Sequence, residues 1–284
     1  MDYEPFPYEG SPHVDAGYPA EHHHTTWCVE KAMTFIDAAS DYENPWLFSL
    51  NIYDPHHAFN PPVEYLERYL DQLDALPLPN YVDGELADKG PFQNIDNQEG
   101  AYAGMGSQFR EGQMSEKDHR MARAAYWAMC DLVDDQVGRL LEKLDETGQT
   151  ENTMVIFTSD HGEMLGDHGL SGKGCRFYEA LVRVPLVLSQ PGVLPQGLES
   201  RALVELIDLA PTLLEMAAVA APERMQGHSL LPLLSGHGDP QHHRDTVRCE
   251  YYRALNPDVE GRDLDGTYAT MIRDQRYKLV VYHD

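Results

Sequence analysis

Short, nearly continuous apolar runs mark Trp46–Ile52, Thr153–Thr158 and Pro185–Ser189. Runs of this length and composition predict strands buried on both faces of a parallel sheet. Between them the spacing changes. Val29, Ala32, Met33 and Ile36 recur at helical intervals after Thr25-Thr26, which predicts a threonine-capped helix over Thr26–Ala39. A longer helical pattern through Ala125, Ala128, Leu132, Val137, Leu140 and Leu144 follows the capping-box spacing Ser115-x-x-Asp118 and stops at Gly148. Leu66–Leu73 and Leu206–Val219 also read as helices, and Val247–Tyr252 and Thr267–Tyr282 as strands of a small antiparallel unit. The expected fold class is α/β, a largely parallel sheet flanked by helices. Its expected domains are a main α/β domain over 1–236 and an incomplete antiparallel subdomain over 237–284.

The candidate chemistry sits where the apolar runs end. Ser159-Asp160-His161-Gly162 follows one predicted strand, placing a carboxylate and an imidazole on a glycine-bearing turn. Ligands of open α/β sheets bind beyond the carboxyl ends of strands. Asp54-Pro55-His56-His57 occupies the equivalent place after Trp46–Ile52, and Lys173 lies between two glycines downstream. Asp160 and His161 are therefore candidate metal ligands, with His56 and Lys173 as candidate catalytic and substrate-binding groups for a tetrahedral oxyanion ester. By this topology all four are expected to converge. Glu163, Asp167 and His168 are assigned to loop hydrogen bonding. Glu179 and Arg183 are expected to pair with each other. His22-His23-His24 is read as a polar tract before a helix, without a role.

The residues TSDHGEMLGDHGL, GKG, YE and RVP between Thr158 and Pro185, with Asp54-Pro55-His56 and Asp208-Leu209-Ala210-Pro211-Thr212, resemble the sulfatase family of the alkaline phosphatase superfamily. That resemblance runs from about Trp27 to the end of the chain. It implies an alkaline-phosphatase-like fold and metal-assisted hydrolysis of a sulfate ester carried by a small molecule or glycan. Calcium is the family expectation at Asp160 and His161, with manganese or magnesium open. The Asp-His pair also resembles phosphonate monoester hydrolases, so a phosphonate or phosphate ester hydrolase is the enzymatic alternative. A non-catalytic oxyanion-binding protein is the other.

The family's nucleophile is a formylglycine made in a Cys/Ser-x-Pro/Ala-x-Arg motif, which this sequence does not contain. Cys28 and Cys175 lack its neighbours, and no CxxC or zinc spacing joins the four cysteines. The resemblance thus implies a C-terminal portion, with formylglycine and further acidic metal ligands expected upstream and no turnover expected from these residues alone. Composition changes the picture in one respect. A formal charge of −26, from 47 acidic against 21 basic residues, argues against nucleic acid as a partner. No apolar run reaches the roughly 20 residues of a membrane span, and the sequence leaves the compartment open.

Overall fold

The computed structural model describes residues 6–8, 11–89, 91–99, 109–254 and 267–283. The chain divides into two compact units, one formed by 1–150 and 163–174, the other by 151–162 and 175–284.

The first unit is helical. Helix α1 spans His24–Ala39, α2 Val63–Leu70 and α3 Glu116–Glu146. The α3 start follows the sequence signal: Ser115 accepts from the Asp118 N–H at 3.2 Å while Asp118 accepts from the Ser115 N–H at 2.9 Å. Both satisfy N–H groups that a helix end leaves open. Helix α3 turns a small-residue stripe inward, with Ala124, Ala125, Ala128, Met129 and Leu132 fully buried. Small side chains permit close approach, and both α1 and α2 pack along it. Asp131 and Asp135, on the polar side of α3, accept from Tyr69 at 3.0 Å and Tyr65 at 2.7 Å. Those hydroxyls fix α2 in register on α3.

Helix α1 starts earlier than predicted and is capped differently. His23 is the N-cap, its Nδ1 accepting weakly from the Thr25 N–H at 3.4 Å. The Thr25 hydroxyl donates to Asp54 Oδ2, so the threonine is spent on a distant carboxylate rather than on its own helix end. Trp46–Ile52 carries no ladder among the described residues, and Leu47 and Phe48 are exposed. The strand expected there is not observed.

In the second unit, β1 (Val155–Thr158) pairs with β2 (Leu186–Ser189), Thr158 facing Leu186. The pair is antiparallel, correcting the expected direction. A parallel pair needs a crossover that returns the chain to the opposite end of the sheet. Here the chain leaves after Thr158 and re-enters at Leu186, the same end. Phe157 and Val187 are exposed rather than buried on both faces. The short helix α4 (Leu209–Met216) follows, with the Thr212 hydroxyl donating to the Asp208 carbonyl at 2.6 Å. A three-stranded antiparallel sheet closes the unit: β3 (Val247–Ala254), β4 (Thr267–Arg273) and β5 (Lys278–His283) in sequential order. Ala269 and Met271 of β4 pack against Phe177. Glu179 pairs with Lys278 of β5 at 2.5 Å and Arg273 of β4 at 3.4 Å, replacing the expected Arg183 partner. The sheet offers two cations where the local sequence offered one.

Candidate functional site

The loop after Ile52 is fixed on both sides of His56. Asp54 is buried and accepts from Thr25 at the α1 terminus. Phe59 is buried against Phe109, ring centroids 5.0 Å apart, and against Tyr126 of α3. His56 lies between these anchors, half-buried, its ring stacked on His57 at 4.2 Å. His56 Nδ1 is 2.6 Å from the His57 carbonyl. A carbonyl only accepts, so this contact puts the proton on Nδ1 and leaves Nε2 as the acceptor. His56 Nε2 is 2.8 Å from Lys173 Nζ, 117 positions away. The ammonium donates to the imidazole and keeps its other protons for a further acceptor.

Lys173 is held in place by its own loop. Gly172 has φ 63°, a left-handed conformation that suits glycine. Glu163 Oε1 accepts from the Gly172 N–H at 2.5 Å and the Leu165 N–H at 3.1 Å, closing the turn that presents the lysine. Asp167 accepts from the Asn80 N–H at 2.9 Å, and His168 Nδ1 is 2.9 Å from Glu85. These three residues thus hold the loop together.

Beneath the lysine loop lies a cavity of about 10 Å³, the size of one water, lined by Glu111, His119, Glu163, His57, Phe59 and Ser171 among others. Glu111 is buried, and burial, with the neighbouring Glu163 carboxylate second, pushes its carboxyl up to about 8. His119 Nδ1 sits 3.2 Å from Glu111, and burial lowers the imidazole. Both shifts favour a neutral acid beside a neutral imidazole. Sequence reading did not reach Glu111 or His119, because only the fold brings them to Glu163, more than forty positions on.

Asp160 and His161 belong to the second unit, on the turn leaving β1. The Asp160 side chain is exposed, and its Oδ1 accepts from the His161 N–H at 2.9 Å. His161 Nδ1 is 2.7 Å from the Gly162 carbonyl, so it donates there. Its Nε2 then carries the lone pair, 3.7 Å from Asp160 Oδ2. Orientation of a ligating imidazole by a carbonyl on its far nitrogen is the usual support for a metal-binding histidine. Gly162 is required by close approach: a Cβ there would lie 1.8 Å from the Ala180 carbonyl oxygen, and its N–H donates to Leu181 at 2.8 Å. The donors of Asp160 and His161 suit a divalent cation as two of its ligands.

The structure therefore assembles two pairs, His56 with Lys173 and Asp160 with His161, each within one unit. Among the described residues, the group of three potential metal-ligating side chains within reach of one another is a different set, His23, His24 and Asp54.

The sulfatase family model matches residues 3–219, and a model of the N-sulphoglucosamine sulphohydrolase C-terminal region matches 166–284. An arylsulfatase of Clostridium perfringens is 33% identical over 77% of this chain and 43% of its own length. The phosphonate monoester hydrolase of Silicibacter pomeroyi superposes with a TM-score of 0.79 at 28% identity, over 93% of this chain and 53% of that one. A structure in complex with its substrate D-glucosamine-2-N,6-O-disulfate superposes at 0.69 and 24% identity, over 91% of this chain and 60% of that one. The chain thus spans about half the length of the relatives it matches. It shares their alkaline-phosphatase-like α/β fold, and it belongs to the sulfatase family.

Proposed function

We propose that this chain is the oxyanion-handling portion of a sulfuric ester hydrolase acting on a sulfated small molecule or glycan. The observation that carries the reading is the 2.8 Å contact between His56 Nε2 and Lys173 Nζ. An ammonium lodged against an imidazole whose other nitrogen is tied to a carbonyl presents fixed positive charge and a transferable proton. Such a pair suits the equatorial oxygens and the leaving oxygen of a tetrahedral ester. Lys173 holds an ester oxygen, and His56 orients the lysine and relays a proton at Nε2. Asp160 and His161 hold the divalent ion, calcium by family preference with manganese or magnesium as alternatives. When bound, that ion gathers negative charge from the ester oxygens.

These residues supply neither a formylglycine motif nor a complete calcium shell, so turnover requires groups beyond them. The decisive assay uses a polypeptide in which these residues are joined to a formylglycine motif. Hydrolysis of a 4-nitrophenyl sulfate ester, lost in Lys173→Ala and in Asp160→Ala, is the expected result. Hydrolysis unaffected by both substitutions refutes the assignment. The 284-residue chain alone is expected to turn over neither sulfate nor phosphonate esters.

A second reading has a specific basis. The superposition on a phosphonate monoester hydrolase, at 28% identity, supports a phosphonate or phosphate ester substrate for the same groups. Comparing kcat/KM for a sulfate ester and a phosphonate monoester with the same leaving group separates the two. A preference for the sulfate is expected.

A further inference from the structure

The N-terminus of α1 carries two imidazoles against a buried carboxylate, none of which takes part in the chemistry above. His23 Nδ1 lies 3.4 Å from Asp54 Oδ2, and His24 Nε2 lies 3.2 Å from Asp54 Oδ1. The three ligand atoms lie within 4.8 Å of one another. A tetrahedral ion with ligands at about 2.0–2.1 Å places its donors about 3.3 Å apart. The His24 Nε2–Asp54 Oδ1 separation matches that edge length, and His23 Nδ1, whose lone pair accepts only weakly from the Thr25 N–H at 3.4 Å, would exchange that bond for the ion.

The bonding of these atoms sharpens the point. The Asp54 side chain is fully buried, and its Oδ2 is occupied by the Thr25 hydroxyl. Its Oδ1 makes no hydrogen bond among the described residues, and neither does the enclosed His24 Nε2, although the two are 3.2 Å apart. A hydrogen bond needs its donor aimed along the line between the atoms. Two buried polar atoms that are close but misaligned each carry an unmet desolvation cost. Chelation has the opposite requirement, because the lone pairs must converge on a point off that line. A cation bound by His24 Nε2 and Asp54 Oδ1 satisfies both atoms at once.

The donor types narrow the ion. Two imidazoles and one carboxylate suit first-row transition ions of the zinc class, whereas calcium asks for more oxygens. The helix end disfavours positive charge, so the Asp54 carboxylate is the indispensable partner. Ring centroids of His23 and His24 stand 4.4 Å apart, consistent with two neighbouring ligands on one ion. We infer that His23, His24 and Asp54 form a three-ligand site for a zinc-class divalent ion, tying the α1 terminus to the loop that carries His56.

The test needs no turnover. The 284-residue chain is stripped with chelator, loaded with Co2+ or Zn2+, desalted and measured for retained metal and for visible Co2+ d–d absorption. One equivalent retained with that absorption is expected. His24 is the partly exposed ligand (side chain 39% exposed), so His24→Asn is the variant least disruptive to folding, with far-UV circular dichroism as control. His24→Asn should lose one equivalent and the absorption, while His242→Asn, at an exposed histidine in the other unit, should keep both. The inference is overturned if the wild type retains no metal, if His24→Asn retains it unchanged, or if His242→Asn loses it too. None of these outcomes bears on ester hydrolysis by His56 and Lys173.

Discussion

Lys173 Nζ reaches His56 Nε2 at 2.8 Å, joining a loop near the first helices to one that follows β1. The contact fixes a tautomer, because His56 Nδ1 is committed to the His57 carbonyl. Long-range ¹H–¹⁵N spectra should therefore show His56 as the Nδ1–H form at neutral pH, and Lys173→Met should shift its Nε2 resonance. A dominant Nε2–H tautomer in the wild type contradicts the arrangement.

If Lys173 holds an ester oxygen as proposed, Lys173→Ala in a polypeptide that supplies the nucleophile should lower kcat by about a hundred- to a thousandfold, the range for loss of one oxyanion donor, about 3–4 kcal/mol. KM should move less, because a donor in that role contributes most as charge develops on the ester oxygens. Far-UV circular dichroism and the urea midpoint of the variant separate this from a folding defect, which would also lower apparent kcat without changing KM. A large rise in KM at constant kcat would indicate a pure binding role.

Glu111 makes stability depend on pH in a defined direction. Its folded carboxyl is raised to about 8 from an ordinary 4.5, so burial favours the protonated form. The stability this contributes is fully present below about 4.5 and is lost as pH rises through 8. His119, lowered by burial, acts oppositely and costs stability as pH falls below about 6.5. Comparing wild type with Glu111→Gln isolates the carboxyl, apart from its 3.2 Å contact with His119. Between pH 5 and 8.5 the unfolding free energy of the wild type, from urea denaturation, should fall relative to that of Glu111→Gln by up to a few kcal/mol, at about 1.4 kcal/mol per pH unit. Parallel pH curves for the two proteins would show that Glu111 ionises normally.

How much of this was legible in the sequence depended on range. Helix α3 was readable because its capping box, apolar stripe and glycine stop are all local. The pairing direction of β1 and β2 was not, since it rests on Gly162 meeting Leu181 across a returning loop. Trp46–Ile52 has strand composition but no ladder among the described residues, and composition alone cannot supply a partner. Asp160, His161, Lys173 and His56 stood out through motif resemblance. Asp54 was given no role of its own, because its partners Thr25, His23 and His24 lie some thirty positions back. Glu163 was assigned to loop hydrogen bonding from its motif, but which N–H groups it holds emerged only from the fold.

Gly162 gives the sharpest steric prediction. Its Cα faces the chain returning through the short helix Glu179–Val182, and an added Cβ would stand 1.8 Å from the Ala180 oxygen and 2.9 Å from its carbonyl carbon. Both neighbours are backbone, so no side-chain rotation relieves the clash. The Gly162 N–H to Leu181 bond of 2.8 Å must lengthen as the strands' connecting arms part. Overpacking of this kind costs about 1–3 kcal/mol, occasionally more. The substitution Gly162→Ala should therefore destabilise the chain by at least about 2 kcal/mol in urea denaturation. It should also disturb the neighbouring pair, because His161 Nδ1 takes its orientation from the Gly162 carbonyl. A control is available in Gly138, on the α3 surface, where a Cβ meets nothing within 4 Å. There alanine should be neutral or stabilising by up to about 1 kcal/mol from helix propensity. If Gly162→Ala and Gly138→Ala give the same change in midpoint, the close approach behind Asp160 and His161 does not exist in solution.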